Sequence, residues 1–517
     1  MTPEQLKASI LQRAMEGKLV PQDPNDEPAS ELLKRIKEEK EKLISEGKVK
    51  RDKKETEFFR GDDGKPYEKL ADGTVKKVEV PYEIPDSWEW VRLRNLGIIT
   101  SGGTPKSSEP SYYGGDIIWI TPADLGKQQK NKLFTTSSKT ITELGLQKST
   151  AQLISKHSIV YSSRAPIGHI NIVNDDFTTN QGCKSVTPLL ANLDFLYWVL
   201  QFRTKDIILR SSGTTFKEIS ASGFGETLLP LPPIAEQKRI VAQIEHALEK
   251  VEVYAESYKK LQELDKAFPD KLKKSILQYA MQGKLVPQDP NDEPVEVLLE
   301  KIKAEKQKLY EEGKLKKKDL GELVLTKGDD SSPYGKIPKN WVFLTIKDVF
   351  SITTGLSYKK TDLAITKNGV RIIRGGNINP LSFKILDNDY YIDPKFITSE
   401  TVYLKRNQLL TPVSTSLEHI GKFARIDKDY PNTAAGGFVF QLTPFVSSDV
   451  LSKYLLFSLS SPIFYEQLKS ITKLSGQALY NIPKTKLNEL LVPLAPETEQ
   501  KRISQRVEQL FEKVNQL

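Results

Sequence analysis

The chain has 517 residues, 38% hydrophobic and 28% charged, with a formal net charge of +9 and a pI near 9.0. The length exceeds one ordinary domain and suggests roughly two to four, and the basic balance points to a polyanionic partner, nucleic acid above all. A single cysteine, Cys183, excludes an internal disulfide, four scattered histidines argue against a zinc site, and no apolar run approaches the roughly 18 residues of a membrane span.

The N-terminal stretch "MTPEQLKASILQRAMEGK" is charged and lacks an apolar signal core, so a soluble cytoplasmic protein is expected. Residues 1–80 form a helical segment and linker. In "KLVPQDPNDEP" the residues Pro21, Pro24 and Pro28 force a turn, and a charge-rich helix follows through Lys42, with Gly47 as its stop. Residues 46–80 lack periodicity and are rich in charge and glycine, which predicts a mobile linker.

Residues 81–235 open with "EIPDSWEWVRL", carry β-like runs such as "GDIIWI", "HSIVYSS" and "GHINIV", and end in the helical "LDFLYWVLQFR" and a proline-rich exit, "LPLPPIAEQKRI". This predicts a mixed α/β globule. Residues 236–332 are a helical spacer and linker. Ile244, Val251 and Tyr258 recur every seven residues, as do Ala247, Tyr254, Leu261 and Phe268, three positions on. That is the a/d seam of a coiled coil. A helix from Glu236 to Asp265 would run about 45 Å, and Pro269 is expected to divide it from a second helix. Residues 333–498 repeat the globular pattern with "KIPKNWVFLTI", "GVRIIR", "GFVFQLT" and "VPLAPETEQKRI", and residues 499–517 are a last spacer helix whose Val507, Leu510, Val514 and Leu517 continue the seam.

The chain therefore says everything twice. "AMEGKLVPQDPNDEP" (Ala14–Pro28) and "AMQGKLVPQDPNDEP" (Ala280–Pro294) differ at one position. The Ile-Pro-x-x-Trp openings match at a different offset, as do Gly102 with Gly355, Asp124 with Asn377 and Gly168 with Gly421; the Glu-Gln-Lys-Arg-Ile exits match at a third. The central segment runs from an exit into an opening, while the two termini hold one such segment cut in half. The repeat is circular, and the matched seam predicts that its two copies pack on each other.

Charge is unevenly spread. The first globule has 15 basic against 13 acidic residues and the second 20 against 13, so the spacers sum to zero. A helical DNA grip would reverse that pattern; the globules are the phosphate-facing parts and the helices the protein-facing ones. Catalytic signatures are absent. "SGGTPKSS" and "GDDGKPY" have the wrong spacing for a phosphate loop, no G-x-S-x-G occurs, and "DPKF" (Asp393–Phe396) has Lys395 where an amino-methyltransferase clamp needs a second proline. No catalytic and no metal-ligating residue is assigned.

Two variable globules, each opened by Ile-Pro-x-x-Trp and closed by a Leu-Pro-Leu-Pro-Pro-like run into Glu-Gln-Lys-Arg-Ile and a long helix, resemble the specificity subunit of type I restriction–modification enzymes. The resemblance spans essentially the whole chain. It implies an α+β fold in which two mixed α/β target-recognition domains stand in circular pseudo-twofold arrangement, separated by long antiparallel coiled-coil helices. It implies a non-catalytic subunit that recognises an asymmetric bipartite site on double-stranded DNA. Two methyltransferase subunits would flip and methylate adenine and two restriction subunits would translocate and cleave. No cofactor is implied in this chain; S-adenosylmethionine, ATP and magnesium belong to the partners. The alternatives are a stand-alone methyltransferase or nuclease, or a scaffold that binds only protein.

The resemblance also marks DNA-contacting candidates. "GLSYKKTD" offers Tyr358, Lys359 and Lys360, and its counterpart "GGTPKSSEPSYYGG" offers Thr104, Lys106 and Ser107. "RIIRGGNI" offers Arg374 and Asn377, types suited to guanine and adenine; "WITPADL" places Thr121 and Asp124 there, implying a different base, and "YSSRAPIG" adds Ser163 and Arg164. The repeated phrase lies outside both globules, so Leu19, Val20, Leu285 and Val286 are expected where the methyltransferase subunits dock.

Overall fold

The computed structural model of the chain describes residues 1–51, 56–70, 72–164, 166–213, 217–323, 326, 332–364, 368–397, 399–416, 419–475 and 479–517. The chain divides into two compact units, Met1–Leu261 and Gln262–Leu517, each with its own hydrophobic core.

In the first unit the chain opens with the helix Pro3–Met15. Thr2 and Gln5 form a capping box at its start and Pro3 sits where no backbone donor is needed. Its buried side chains, Leu11, Ala14 and Met15, join the same core as Ile240 and Ile244 of the long helix Ile234–Met281. The two helices run antiparallel: the Tyr254 hydroxyl donates to the Met1 carbonyl at one end, and Gln22 meets Glu236 at the other. The helix Ala29–Ser45 buries Leu32 and Ile36.

The globule is closed by its own first and last strands. Glu89–Arg92 pairs antiparallel with Leu228–Leu231, setting Val91 opposite Leu229 and Trp90 opposite Pro230. The tryptophan opening and proline-rich exit are therefore two sides of one ladder. Between them lies an antiparallel sheet in the order Gly97–Ser101, Cys183–Pro188, Ser158–Ser162, Ile170–Val173. A second sheet sets Phe177–Thr179 parallel to Tyr113–Ile120 and Thr140–Ile141 antiparallel to it. The Asn192-capped helix Leu193–Leu209 supplies Phe195, Leu196, Val199 and Leu200 to the core.

The second unit repeats the plan. Val342–Thr345 pairs with Leu491–Leu494, and one sheet runs Phe350–Thr354, Val439–Pro444, Leu409–Pro412, Ala424–Arg425. The other runs Tyr390–Ile392, Val370–Ile373, Tyr430–Ala435, Tyr403–Leu404, with Val370–Ile373 and Tyr430–Ala435 parallel. Here the helix Glu497–Val514 lies antiparallel to the later part of the long helix. Lys273 donates to Asn515 and lies over the Phe511 ring, while Gln288 meets Glu499 at the far end.

Two expectations are corrected. Within 46–80, of which 52–55 and 71 lie outside the described residues, the chain forms an antiparallel meander of Glu57–Arg60, Pro66–Lys69 and Val75–Lys77. Its turns are made by aspartates: Asp63 accepts from the Lys65 amide and Asp72 from the Thr74 amide. Two arginines anchor it to the rest of the unit: Arg92 grips Glu68, and Arg60 of the first strand donates to the carbonyls of Pro85 and Trp88. Nor does Pro269 divide the central helix, which continues through it for 48 residues. The missing donor and ring clash cost about 3 kcal/mol, but Asp265, whose carbonyl is freed, is exposed to solvent. Residues 324–325 and 327–331 of the predicted linker after that helix lie outside the described residues.

The predicted seam is split. Ile244, Val251, Val507 and Val514 are buried, whereas Leu261, Phe268 and Leu517 are exposed.

In each unit three distant motifs meet on one carboxylate. The Trp88 indole N–H donates to Glu236 Oε2 at 2.8 Å and the Gln22 amide to Oε1 at 2.6 Å. In the second unit Trp341 donates to Glu499 Oε2 at 2.9 Å and Gln288 to Oε1 at 2.5 Å. Beside each carboxylate a two-pronged ion pair repeats the link: Arg239 on Asp26, and Arg502 on Asp292. Gly17 and Gly283 take φ near +67° and +68°, and an added Cβ would collide with the Pro85 or Pro338 ring. The glutamine after each glutamate, Gln237 or Gln500, is buried and donates to the carbonyl of Pro232 or Ala495. Only the lysine of Glu-Gln-Lys-Arg-Ile, Lys238 or Lys501, faces outward. The repeated words are the parts of an internal clasp.

Burial pushes the carboxyl groups of Glu236 and Glu499 above their ordinary value of 4.5, against the indole and amide donors that favour the charge. A carboxyl that titrates higher in the folded chain contributes stability below pH 4.5 and loses it as the pH rises through the raised value. Asp292, held below 3.8 by Arg502, contributes stability above 3.8 that is lost as the pH falls. The stability of Glu499→Gln relative to wild type, read from melting curves, should therefore rise as the pH climbs from 4.5 to 7. A relative stability that stays constant or falls would refute the assignment.

Candidate nucleic-acid interface

Each globule gathers its variable loops at one edge of its antiparallel sheet. In the first, the strand Gly97–Ser101 runs into Gly102, where an added Cβ would meet the Asn180 carbonyl. The matching Gly355 is pressed on the carbonyls of Ala435 and Gly436. These close approaches hold the loops that follow, with Thr104, Lys106 and Ser107 exposed in one globule and Lys359 and Lys360 exposed in the other.

The first edge is a connected polar cluster. The Thr104 hydroxyl bonds the Gln181 side chain, and the buried Lys184 donates to the Gln181 carbonyl at 2.9 Å and to Ser163 Oγ at 3.1 Å. Glu218 lies 3.9 Å from Lys184 and takes two bonds from Arg164, at 3.2 and 2.8 Å. Burial lowers the Lys184 pKa, against the charge of Glu218. Among the described residues Lys106 reaches only Glu109, at 3.7 Å across an exposed pair, an arrangement of little energetic value.

In the second globule, Arg374 lies with its guanidinium carbon 3.9 Å from the Tyr390 ring centre, and half-buried Tyr358 stands near both. Lys359 and Asp362 cap the short turn Lys360–Asp362.

Three of the candidate DNA contacts, Asn377, Asp124 and Ser163, are buried. Asn377 is 0% exposed: its oxygen accepts from the Arg374 amide at 2.8 Å, and its nitrogen donates to Asp389 at 2.6 Å and the Lys384 carbonyl at 3.0 Å. Asp124 is buried, taking bonds from Thr121 and Ser138, and those donors hold its carboxyl low although burial opposes its charge. Ser163 is buried against Lys184. At matching turns Asp124 accepts from the Thr121 backbone amide and Asn377 from the Arg374 backbone amide, so the matched residues share one turn-holding contact. Gln181, Lys184, Glu218, Tyr390 and Phe438, the last 72% exposed beside the second loop, were not singled out from sequence. The Gly-rich turns "NQGC" and "AGGF" were the available signal, because both receive the loop glycines.

Leu19, Val20, Leu285 and Val286 are half-buried and pack on the cores of their own units. No helix among the described residues is long and apolar enough to cross a membrane, and no group of three or more His, Cys, Asp or Glu among them could hold a metal ion.

The model of the type I restriction modification DNA specificity domain matches twice, at residues 85–264 and 338–517, each match running from the Ile-Pro-x-x-Trp opening through the globule into the spacer helix. The chain belongs to this family. The specificity subunit is 26% identical to the EcoAI type I restriction enzyme specificity subunit of Escherichia coli, across 99% of this chain and 90% of that one. It is 24% identical to the EcoEI specificity subunit of the same organism over the same shares. Over 32% of this chain it is 31% identical to the MjaIX specificity subunit of Methanocaldococcus jannaschii, 38% of whose length is matched. Among solved structures, the HsdS subunit of Thermoanaerobacter tengcongensis aligns with 84% of this chain and 92% of its own, at 19% identity and a TM-score of 0.40. The specificity subunit serves DNA sequence recognition and is not itself the enzyme; each of its two tandem domains takes in one globule and the start of the helix that follows.

Proposed function

We propose that the specificity subunit reads an asymmetric, two-part DNA sequence, one part with each globule, and presents it to methyltransferase and restriction subunits. The observation that carries this reading is the contrast between frame and edge. The clasps use the same interacting side chains, while the edges they hold differ: Thr104, Gln181 and Arg164 in one, Tyr358, Lys359, Lys360 and Arg374 in the other. Two similar frames with unlike edges suit two unlike half-sites. Thr104, Lys106, Ser107, Lys359 and Lys360 contact phosphates or bases; Thr121, Asp124, Ser163 and Asn377 hold the loops in register. The chain needs no cofactor of its own, and S-adenosylmethionine, ATP and magnesium act in the partners. Two methyltransferase and two restriction subunits match the twofold frame.

The docking face lies at the clasps. Leu19, Val20, Leu285 and Val286 supply its apolar floor. Pro21, Pro24 and Lys238, with Pro287, Pro290 and Lys501, are exposed repeated residues to which the clasp gives no internal role. Lys238→Glu with Lys501→Glu should abolish co-purification of the methyltransferase subunit while leaving the melting temperature within about 2 °C, since exposed substitutions change stability by about 0.5 kcal/mol or less. Retained assembly would remove the docking face from this surface. Genome-wide adenine methylation, mapped with and without the gene, tests the whole reading: a gapped motif should lose its methylation on deletion, and an unchanged map would overturn it.

A further inference from the structure

Arg374 differs from every other arginine of the second globule. Arg371 lies 3.6 Å from Asp389 and bonds the Tyr391 hydroxyl; Arg406 and Arg425 share Asp449. Of these four arginines, Arg374 alone has no carboxylate within ion-pair distance among the described residues. It is held by other means. The backbone amide is fixed by Asn377, Nη2 donates to the Asn388 carbonyl at 3.1 Å, and the guanidinium stacks on Tyr390 at 3.9 Å. Tyr390 is itself fixed in the strand Tyr390–Ile392 opposite Ile372, and the residue is 42% exposed.

A half-buried guanidinium without a counter-ion is costly unless a ligand completes it. A carboxylate would neutralise the group and compete with an incoming acceptor; an aromatic face orients it and leaves its hydrogens unspent. Nε is buried without a partner and one Nη2 hydrogen is committed. The remaining pair, on Nη1 and Nη2, has the spacing that matches two acceptors on one edge, as on guanine O6 and N7.

We infer that Tyr390 is a positioning residue for base readout, stacking Arg374 so that its outer N–H pair reads one guanine in the half-site of the second globule. This rests on the DNA-reading role proposed above and adds a specific residue and base to it. Arg164 does not do the same in the first globule, because Glu218 occupies its fork.

The test uses the specificity subunit assembled with its methyltransferase subunits and a panel of duplexes in which each base pair of the second half-site is replaced in turn. Tyr390→Leu should reduce discrimination at one G·C pair by roughly tenfold, within the range of a bidentate contact, and leave the preference at every other pair unchanged. Tyr390→Phe should behave as wild type, since the stack does not use the hydroxyl. Arg374→Lys, which keeps the charge and loses the fork, should relax the same pair, and supplies the readout if Tyr390→Leu does not assemble. Equal weakening on all sequences, wild-type preference throughout in Tyr390→Leu, or a Tyr390→Phe that behaves like Tyr390→Leu, would each overturn the inference. A wild-type complex with no preference at any base pair would instead overturn the reading on which it rests.

Discussion

Trp341→Ala should destabilise the second unit by about 3–5 kcal/mol, the range for emptying a fully buried indole. Trp341 is 2% exposed, edge-on to Tyr454, and donates to Glu499. Its removal leaves a cavity, and it leaves the buried Glu499 with Gln288 as its main remaining donor. Trp341→Phe separates the two effects: the ring volume largely stays and the N–H is lost, for about 1–3 kcal/mol. Against a total stability of about 5–15 kcal/mol for a domain, the alanine change removes a large share. Because each unit has its own core, hydrogen exchange followed by mass spectrometry should show lost protection in 262–517 and retained protection in 1–261. Trp88→Ala should give the mirror result. A cost below about 1 kcal/mol would mean that the clasp does not hold the unit.

The second large effect is on specificity. Replacing residues 333–498 with the corresponding body of another family member should change one half of the methylated motif and preserve both the other half and the gap. The physical ground is where the swapped segment ends. Pro338 and Trp341 lie inside it, and Gln288, Glu499 and Arg502 outside, so a donor body that begins Ile-Pro-x-x-Trp re-forms the same clasp. The long helix Ile234–Met281 is untouched, and only the first two residues of the helix Glu497–Val514 are exchanged, so the spacing proposed to set the gap is kept. Methylome sequencing of the exchanged strain reads the outcome directly. A change in both halves, or in the gap, would show that the globules do not read independently.

The frame was legible because the clasp demands particular side chains. An indole donor, a buried carboxylate with two acceptors and a guanidinium fork have few substitutes, so they recur as the same letters in both copies. That Trp88 touches Glu236 was not legible, since the two are 148 residues apart and the motif says nothing of its partner. The meander at 57–77 was missed because its strands are short and charged, and their register comes from Arg60 and Arg92 rather than from an apolar alternation. The long helix was read as broken because Pro269 is a breaker by local propensity, which packing on either side overrides. That Asn377 and Asp124 lie buried was not legible for a chemical reason: an amide or carboxylate that could pair with a base is equally suited to hold a turn.

Each clasp turns its globule into a closed ring of chain, pinned where the indole meets the carboxylate. From proline to glutamate the second ring, Pro338 to Glu499, is ten residues longer than the first, Pro85 to Glu236. Ring-closure entropy grows only with the logarithm of length, about 0.6 kcal/mol per doubling, so ten extra residues cost under about 0.1 kcal/mol. Loops at the reading edge can therefore lengthen or shorten almost without penalty at the pin. A lineage can explore new target sequences by insertion and deletion as freely as by substitution, while the surface it offers its partners stays the same.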